Sequence, residues 1–315
     1  MRDIQIHIAS YNDPLLLHTV RTALAHAAHP ERLHFAIFDQ QAASMAWVFA
    51  EIPRVRYLCV HPRHSKGACW ARSMVATLYE GQPLVLQVDA HMHFDHHWDV
   101  IIEREFERIE KVIKKPVMSS YPPSFEIEAN GSVTLRPLPR GKVLVHVPNE
   151  GTEIKEETPA FVFGSVWRDS PVPLPGIHLA GGFFLTLGQF INEVPYDPMV
   201  YFLGEEQSMS VRAFTHGWDI YHPTVMPIYH LYRKPGEVSA NQHWNAEFAR
   251  MRTRSLADFQ ARSNARLRAL FYEGEQLGPF GFGYVRSLSD YARFSGIDYE
   301  ARTINWDLYR RMLKR

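Results

Sequence analysis

The sequence predicts an α/β protein built on a mostly parallel sheet, and three observations carry the prediction. Apolar strand-like runs alternate with amphipathic helical stretches over the first ninety residues, the pattern of strand–helix–strand units. The chain has 315 residues, 46% hydrophobic and 22% charged, enough to bury a large core. The fourth run, Leu84-Val85-Leu86-Gln87-Val88, ends in Asp89-Ala90-His91, and ligands of open α/β sheets bind at the carboxyl ends of strands.

Ile4, Ile6 and Ile8 alternate with Gln5, His7 and Ala9, which marks the first strand. Asp13 suits an N-cap and Pro14 a first helical residue. Leu16, Val20, Ala23, Leu24 and Ala27 supply the apolar stripe of the helix, which His29-Pro30 closes. Strands are predicted over 33–38 and 55–60, a helix over 67–79, and then the strand leading to Asp89. A charged amphipathic helix follows over 98–115, with Ile101, Ile102, Phe106, Ile109 and Val112-Ile113 on its apolar side. A β-rich insertion is read from strands at 117–121, 133–135, 143–147 and 160–163, separated by Pro122-Pro123, Asn130-Gly131 and Gly141. Three prolines make 168–176 an extended, exposed connection. A helix entered at Gly204-Glu205-Glu206 reaches about His216, and a last strand at 225–229 leads into His230. Beyond Pro235 the composition becomes helical. The expected organisation is a catalytic unit over 1–235 and a helical C-terminal extension over 236–315, packed on it.

Lysine plus arginine (34) equals aspartate plus glutamate (34), so nothing points to nucleic acid or an acidic membrane. No apolar run has transmembrane length, and no secretory leader precedes the first strand. Cys59 and Cys69 have neither metal-site nor disulfide-framework spacing. The expectation is a cytoplasmic protein.

Two phosphate-binding devices are missing: no GxGxxG follows the first strand, and there is no GxxxxGK[ST]. Alternation puts Asp89 and His91 on one side of the strand end, where a carboxylate beside an imidazole can hold a metal carrying a phosphorylated ligand. The same pair also suits an exposed turn. Gly181-Gly182 before Phe183-Phe184 suggests close backbone approach, to packed structure or to a ligand. Glu205 and Glu206 complement the positive end of a helix, or serve a ligand.

Taken in order, these pieces resemble a GT-A-type nucleotide-sugar glycosyltransferase over roughly 4–233. Ser10-Tyr11-Asn12-Asp13 looks like the strand end that holds nucleobase and ribose. Lys66-Gly67-Ala68-Cys69-Trp70-Ala71-Arg72 resembles the basic loop and helix start near the nucleotide, and Asp89-Ala90-His91 resembles the DxD metal motif in its DxH form. The DxH form, the glycine pair, the Gly-Glu-Glu helix start and the later His-aromatic-Arg are similar to the polypeptide N-acetylgalactosaminyltransferases. Gln87-Val88-Asp89-Ala90-His91-Met92-His93-Phe94, and Arg286-Ser287-Leu288 with Tyr291 and Phe294-Ser295-Gly296-Ile297-Asp298, look closer to the cytosolic N-acetylglucosaminyltransferases that modify hydroxyproline on a protein.

The resemblance implies a transfer of GlcNAc from UDP-GlcNAc to a hydroxyl acceptor, a protein side chain such as hydroxyproline, Ser or Thr, with retention of configuration and no dedicated base. It implies a metal held by Asp89, His91 and His230. Mixed carboxylate and imidazole ligation favours Mn2+ over Mg2+. Ser10, Tyr11, Asp13, Lys66, Arg72, Gly181, Gly182 and Arg233 would contact the nucleotide sugar. Glu205 or Glu206 would contact sugar hydroxyls, or act as base were the reaction inverting. Two other readings stand beside this one: a same-fold enzyme building a cell-surface glycan, for which the basic end Arg310, Arg311, Lys314 and Arg315 is a weak sign, and a non-catalytic nucleotide-sugar-binding protein.

Overall fold

The structure, a computed structural model, describes residues 1–232 and 243–313. The chain opens with β1 (Ile4–Tyr11), α1 (Leu16–His26), β2 (Leu33–Gln40), α2 (Ala46–Phe49), β3 (Val55–Val60), α3 (Ala68–Ala76) and β4 (Leu84–Asp89). β5 (Met92–Phe94) and α4 (Trp98–Glu110) follow. The β-rich insertion comprises β6 (Pro116–Ser119), β7 (Phe125–Ile127), β8 (Val133–Leu135), β9 (Lys142–Pro148), β10 (Phe163–Asp169) and β11 (Leu174–Gly176). Then come β12 (Phe183–Leu187), α5 (Phe190–Glu193), α6 (Glu205–Thr215), β13 (Asp219–His222) and β14 (Ile228–His230). The described remainder holds α7 (Leu256–Phe271), α8 (Leu288–Ser295), a short hairpin β15 (Ile297–Asp298) and β16 (Thr303–Ile304), and α9 (Trp306–Leu313).

Eight strands form the central sheet in the order β11-β13-β6-β12-β4-β1-β2-β3. β4, β1, β2 and β3 run parallel, as does the β13–β6 pair, whereas β12 is antiparallel to both β4 and β6. The predicted α/β class with a mostly parallel sheet is what the chain adopts. Strand alternation explains how the sheet is covered. Ile4, Ile6, Ile8, Phe35, Ile37, Leu84, Leu86 and Val88 bury one face against Leu16 and Val20 of α1 and Trp98, Ile102 and Phe106 of α4. Ala36 and Phe38 point the other way, onto Ala71 and Val75 of α3. A further core joins Phe184 and Val117 of the sheet to α6 and to Leu267, Leu270, Tyr291, Ile297 and Tyr309 of the C-terminal segment.

Several local expectations need correction. Asp13 does not cap α1, whose N-cap is Leu15; Asp13 Oδ1 instead accepts from the Leu15 N–H at 2.9 Å, bending the chain ahead of the helix. α4 stops at Glu110, and Val112 is exposed. Pro116 opens β6 and disfavours helical backbone at Lys115, which bars the helix from reaching 115. The strand expected at 160–163 begins only at Phe163 and runs to Asp169, paired with β9. The Phe161 N–H is committed to Gln207 Oε1 at 2.9 Å rather than to a neighbouring strand. The proline-rich connection contains β11, an edge strand paired with β13, and a sheet edge is where proline is tolerated. β12 and β13 were not read from the sequence as strands.

Candidate active site

The carboxyl ends of β1, β2 and β4, the starts of α3 and α6, the approach to β12 and the end of β14 surround a cavity of about 520 Å³. Its centre is a group of three potential metal ligands, Asp89, His91 and His230, whose donor atoms all lie within 4.8 Å of one another. β14 pairs antiparallel with β5, placing His230 opposite Met92. The Leu231 N–H reaches the His91 carbonyl at 3.1 Å. That short ribbon brings together two histidines 139 residues apart in sequence, their Nε2 atoms 3.0 Å from each other. His230 Nε2 is 3.3 Å from Asp89 Oδ2.

The donor set fits a divalent cation. His91 Nδ1 lies 2.7 Å from Asp13 Oδ2. An ionised carboxylate only accepts, so that nitrogen carries the proton and Nε2 presents its lone pair to the site, the usual support for a metal-bound imidazole. Burial pushes the pKa of His230 down and keeps it neutral, as a ligand must be. Burial opposes the charge on Asp89, but the His230 hydrogen bond and the Arg72 guanidinium outweigh it and hold the carboxyl well below the usual range.

Arg72 is neither solvated nor directed at open space. Its Nη2 donates to Asp89 Oδ1 at 2.8 Å, and its Nη1 donates to Glu205 Oε1. The side chain reaches the site because α3 starts at Gly67, whose φ of 103° suits glycine and where a Cβ would come within 2.4 Å of the Tyr201 ring. The glycine pair Gly181-Gly182 serves the same end. A Cβ on Gly181 would sit 2.7 Å from Glu205 Oε1 and one on Gly182 2.6 Å from Asp89 Oδ2.

The two acids of α6 differ in their surroundings. Glu205 is buried and held by Arg72 and by Tyr196 Oη at 3.1 Å, and burial raises its pKa. Glu206 keeps a cavity-facing surface and accepts from the Gly181 N–H at 2.7 Å, and from Tyr121 Oη and His178 Nε2 at 3.2 Å each. At the other end of the cavity, Ser10, Tyr11 and Gln40 line the edge of β1 and β2. Gln40 Nε2 is spent on the Ser10 carbonyl at 2.8 Å, whereas its buried Oε1 has no partner. Tyr11 stands edge-on to His243 and Phe248, with ring centroids 5.3 and 5.4 Å away.

Of the residues singled out in the sequence, Ser10, Tyr11, Asp13, Arg72, Asp89, His91 and His230 line this cavity, as do Gly181, Gly182, Glu205 and Glu206. Lys66 does not: it is exposed, with its ammonium 5.4 Å from the centroid of the Trp70 ring. Arg233 lies outside the described residues. Sequence reasoning missed Gln40, Tyr121, His178, Tyr196 and His243. His178 stands three residues before the glycine pair, which was a readable signal; the others become neighbours only through the fold.

Residues 47–301 match the family described as Glycosyltransferase (GlcNAc). No curated protein sequence matches the chain. Among solved structures, GalNAc-T7 with UDP, GalNAc and Mn2+ superposes with a TM-score of 0.58 at 14% identity, covering 97% of this chain and 56% of that one. The chain thus spans little more than half the length of that neighbour. S. aureus TarS 1–349 in complex with UDP-GlcNAc follows at a TM-score of 0.45 and 13% identity, covering 79% of this chain and 64% of that one, a likeness too weak to bear on the site. The sheet order and the GalNAc-T7 superposition agree on a GT-A-type fold. With the match spanning most of its length, the chain belongs to the GlcNAc glycosyltransferase family.

Proposed function

We propose that the protein transfers N-acetylglucosamine from UDP-GlcNAc to a hydroxyl on a protein side chain, such as hydroxyproline, serine or threonine, with a divalent cation and retention of configuration. The observation that carries this reading is the convergence of Asp89, His91 and His230 beside Arg72 at the carboxyl end of β4, inside a cavity of ligand size. The family description supports GlcNAc as the sugar. The UDP and Mn2+ bound by GalNAc-T7 support the nucleotide and the metal.

Asp89, His91 and His230 would hold the cation, which when bound neutralises charge on the diphosphate as a Lewis acid. Asp13 fixes the His91 tautomer, and Arg72 holds Asp89 ionised and in place. Gly182 leaves room for the diphosphate beside Asp89. Gln40 Oε1, buried and unpartnered, suits the ring N–H of uracil, and Tyr11 flanks the base. Ser10 lines that end of the cavity, and the resemblance assigns Arg233 to contact with the nucleotide sugar. In a retaining transfer the leaving phosphate takes the acceptor proton, so neither Glu205 nor Glu206 need act as base. We read 1–235 as the catalytic unit and 236–315 as an extension packed on it. The hydroxyproline acceptor and a cytoplasmic setting rest on the resemblance to the cytosolic enzymes. The free cysteines Cys59 and Cys69 suit a reducing compartment, and no described helix is long and apolar enough to cross a membrane.

The test is nucleotide release from UDP- and GDP-sugars by the purified protein, with Mn2+ and with chelator. UDP-GlcNAc is expected to give the fastest release, abolished by chelator and by Asp89→Ala or His230→Ala. Faster release from another donor overturns the GlcNAc assignment. Absence of both release and UDP binding overturns the nucleotide-sugar reading itself.

A further inference from the structure

Glu206 is a cavity-lining carboxylate outside the metal site, and its surroundings are more elaborate than a helix start requires. Three donors converge on it. The Gly181 N–H takes Oε1, while His178 Nε2 and Tyr121 Oη take Oε2. The His178 ring lies flat on Phe163, with centroids 3.7 Å apart and planes 5° from parallel. Its other nitrogen, Nδ1, is buried without any partner. A proton on Nδ1 would have no acceptor, so the ring keeps its proton on Nε2 and presents it to Glu206.

A second histidine holds both donors at once. His146, on β9, accepts the Tyr121 N–H on Nε2 at 3.1 Å and faces the His178 carbonyl with Nδ1 at 3.1 Å. The Tyr121 ring stacks on it at 4.1 Å. Burial, with His222 and His178 adding to it, drives the pKa of His146 well down, so it stays neutral and acts as a spacer of fixed length. Among the described residues, the remaining ionisable groups that act on Glu206 are Arg72, Glu205 and Tyr232. Burial alone would raise the pKa of Glu206, but the His178 hydrogen bond, the Gly181 N–H and Arg72 outweigh it and hold the carboxyl below the usual range. Such a carboxylate stays ionised, so it is a poor base and remains able to accept a hydrogen bond from a hydroxyl.

We propose that His178, together with Tyr121, is a positioning residue that fixes Glu206 as a hydrogen-bond acceptor for a hydroxyl of the transferred hexose, so that Glu206 selects the sugar and does not deprotonate the acceptor. This inference rests on the nucleotide-sugar reading above.

The test separates the N–H of His178 from its ring. His178→Phe keeps the stack on Phe163 and loses the donor; His178→Gln gives up the ring and keeps an N–H of similar reach. Calorimetric affinities for UDP and for UDP-GlcNAc, with Mn2+ present, are measured for both variants and for Glu206→Gln, with a thermal melt of each. His178→Phe and Glu206→Gln are expected to weaken UDP-GlcNAc about tenfold or more, the effect of losing a hydrogen bond to a charged group. UDP affinity should be unchanged, and His178→Gln should stay within about threefold of the parent. The proposal is overturned if His178→Phe binds UDP-GlcNAc as the parent does, if His178→Gln is the worse of the two, or if UDP and UDP-GlcNAc weaken equally. Should His178→Phe melt early, the Gln variants at 178 and 206 decide by the same criteria. A parent protein that binds no UDP marks failure of the nucleotide-sugar reading instead, a result distinct from all of these.

Discussion

At the scale of the residue, the site depends on an atom that is absent. A Cβ at Gly182 would stand 2.6 Å from Asp89 Oδ2, closer than such contacts allow, and Asp89 is already tied to Arg72 and His230. Gly182→Ala should therefore displace the carboxylate, lowering Mn2+ affinity at least about tenfold in a direct titration, the scale of disturbing a ligand's supports. Its melting temperature should stay close to the parent's. Unchanged Mn2+ affinity would mean that Asp89 has another place to go. The same pair shows what a sequence reveals. Asp89 and His91 were legible because they are two residues apart, and strand alternation fixes their side. For Asp13 the sequence offers a helix cap or a nucleotide contact but not its tie to His91, because that histidine lies 78 residues away.

At the scale of the element, α6 presents Glu205 and Glu206 and is fastened at its far end by a buried arginine. Arg212 Nη2 donates to the Pro279 carbonyl at 2.9 Å and Nε to the Gly281 carbonyl at 3.3 Å. Burial lowers its pKa to about 10, which leaves it charged at neutral pH. Removing it leaves two carbonyls without these donors, at about 1–3 kcal/mol for each buried group stranded. Arg212→Ala should lose on the order of 2–4 kcal/mol in urea unfolding, and a loss under about 0.5 kcal/mol would show that α6 does not lean on this turn. Elements whose signal is local, such as β1 to β4 and α1, could be read with small errors at their ends. β12 could not. It is a five-residue run behind two glycines, and what makes it a strand is its antiparallel seat between β4 and β6, supplied by segments far away in sequence. β11 was hidden by its proline, and only an edge position makes that proline acceptable.

At the scale of the whole molecule, the fold buries several of the chain's 17 histidines. His7, on β1, is buried beside Gln5 Oε1 at 2.8 Å, and burial pushes its pKa down to about 3. His222, on β13, is fully buried with Nδ1 2.7 Å from the Ser119 carbonyl, and burial pushes it down to about 4. His146 lies beside it and is also driven well down by burial. In the unfolded chain these imidazoles take up protons near pH 6.5. Between that value and the depressed ones, the unfolded state binds more protons than the folded state, so stability rises with pH through the window and drains away as pH falls. His7 and His222 each withdraw on the order of 3 kcal/mol by about pH 4, and His146 acts in the same direction. Melting temperature measured in chelator, so that metal release plays no part, should be level above about pH 7 and fall steadily from there to pH 4. His7→Gln, which keeps a donor for Gln5 Oε1 and cannot titrate, should fall less steeply over the same range. Equal slopes for parent and variant would mean that His7 is not held neutral in the folded protein, and that the acid sensitivity arises elsewhere.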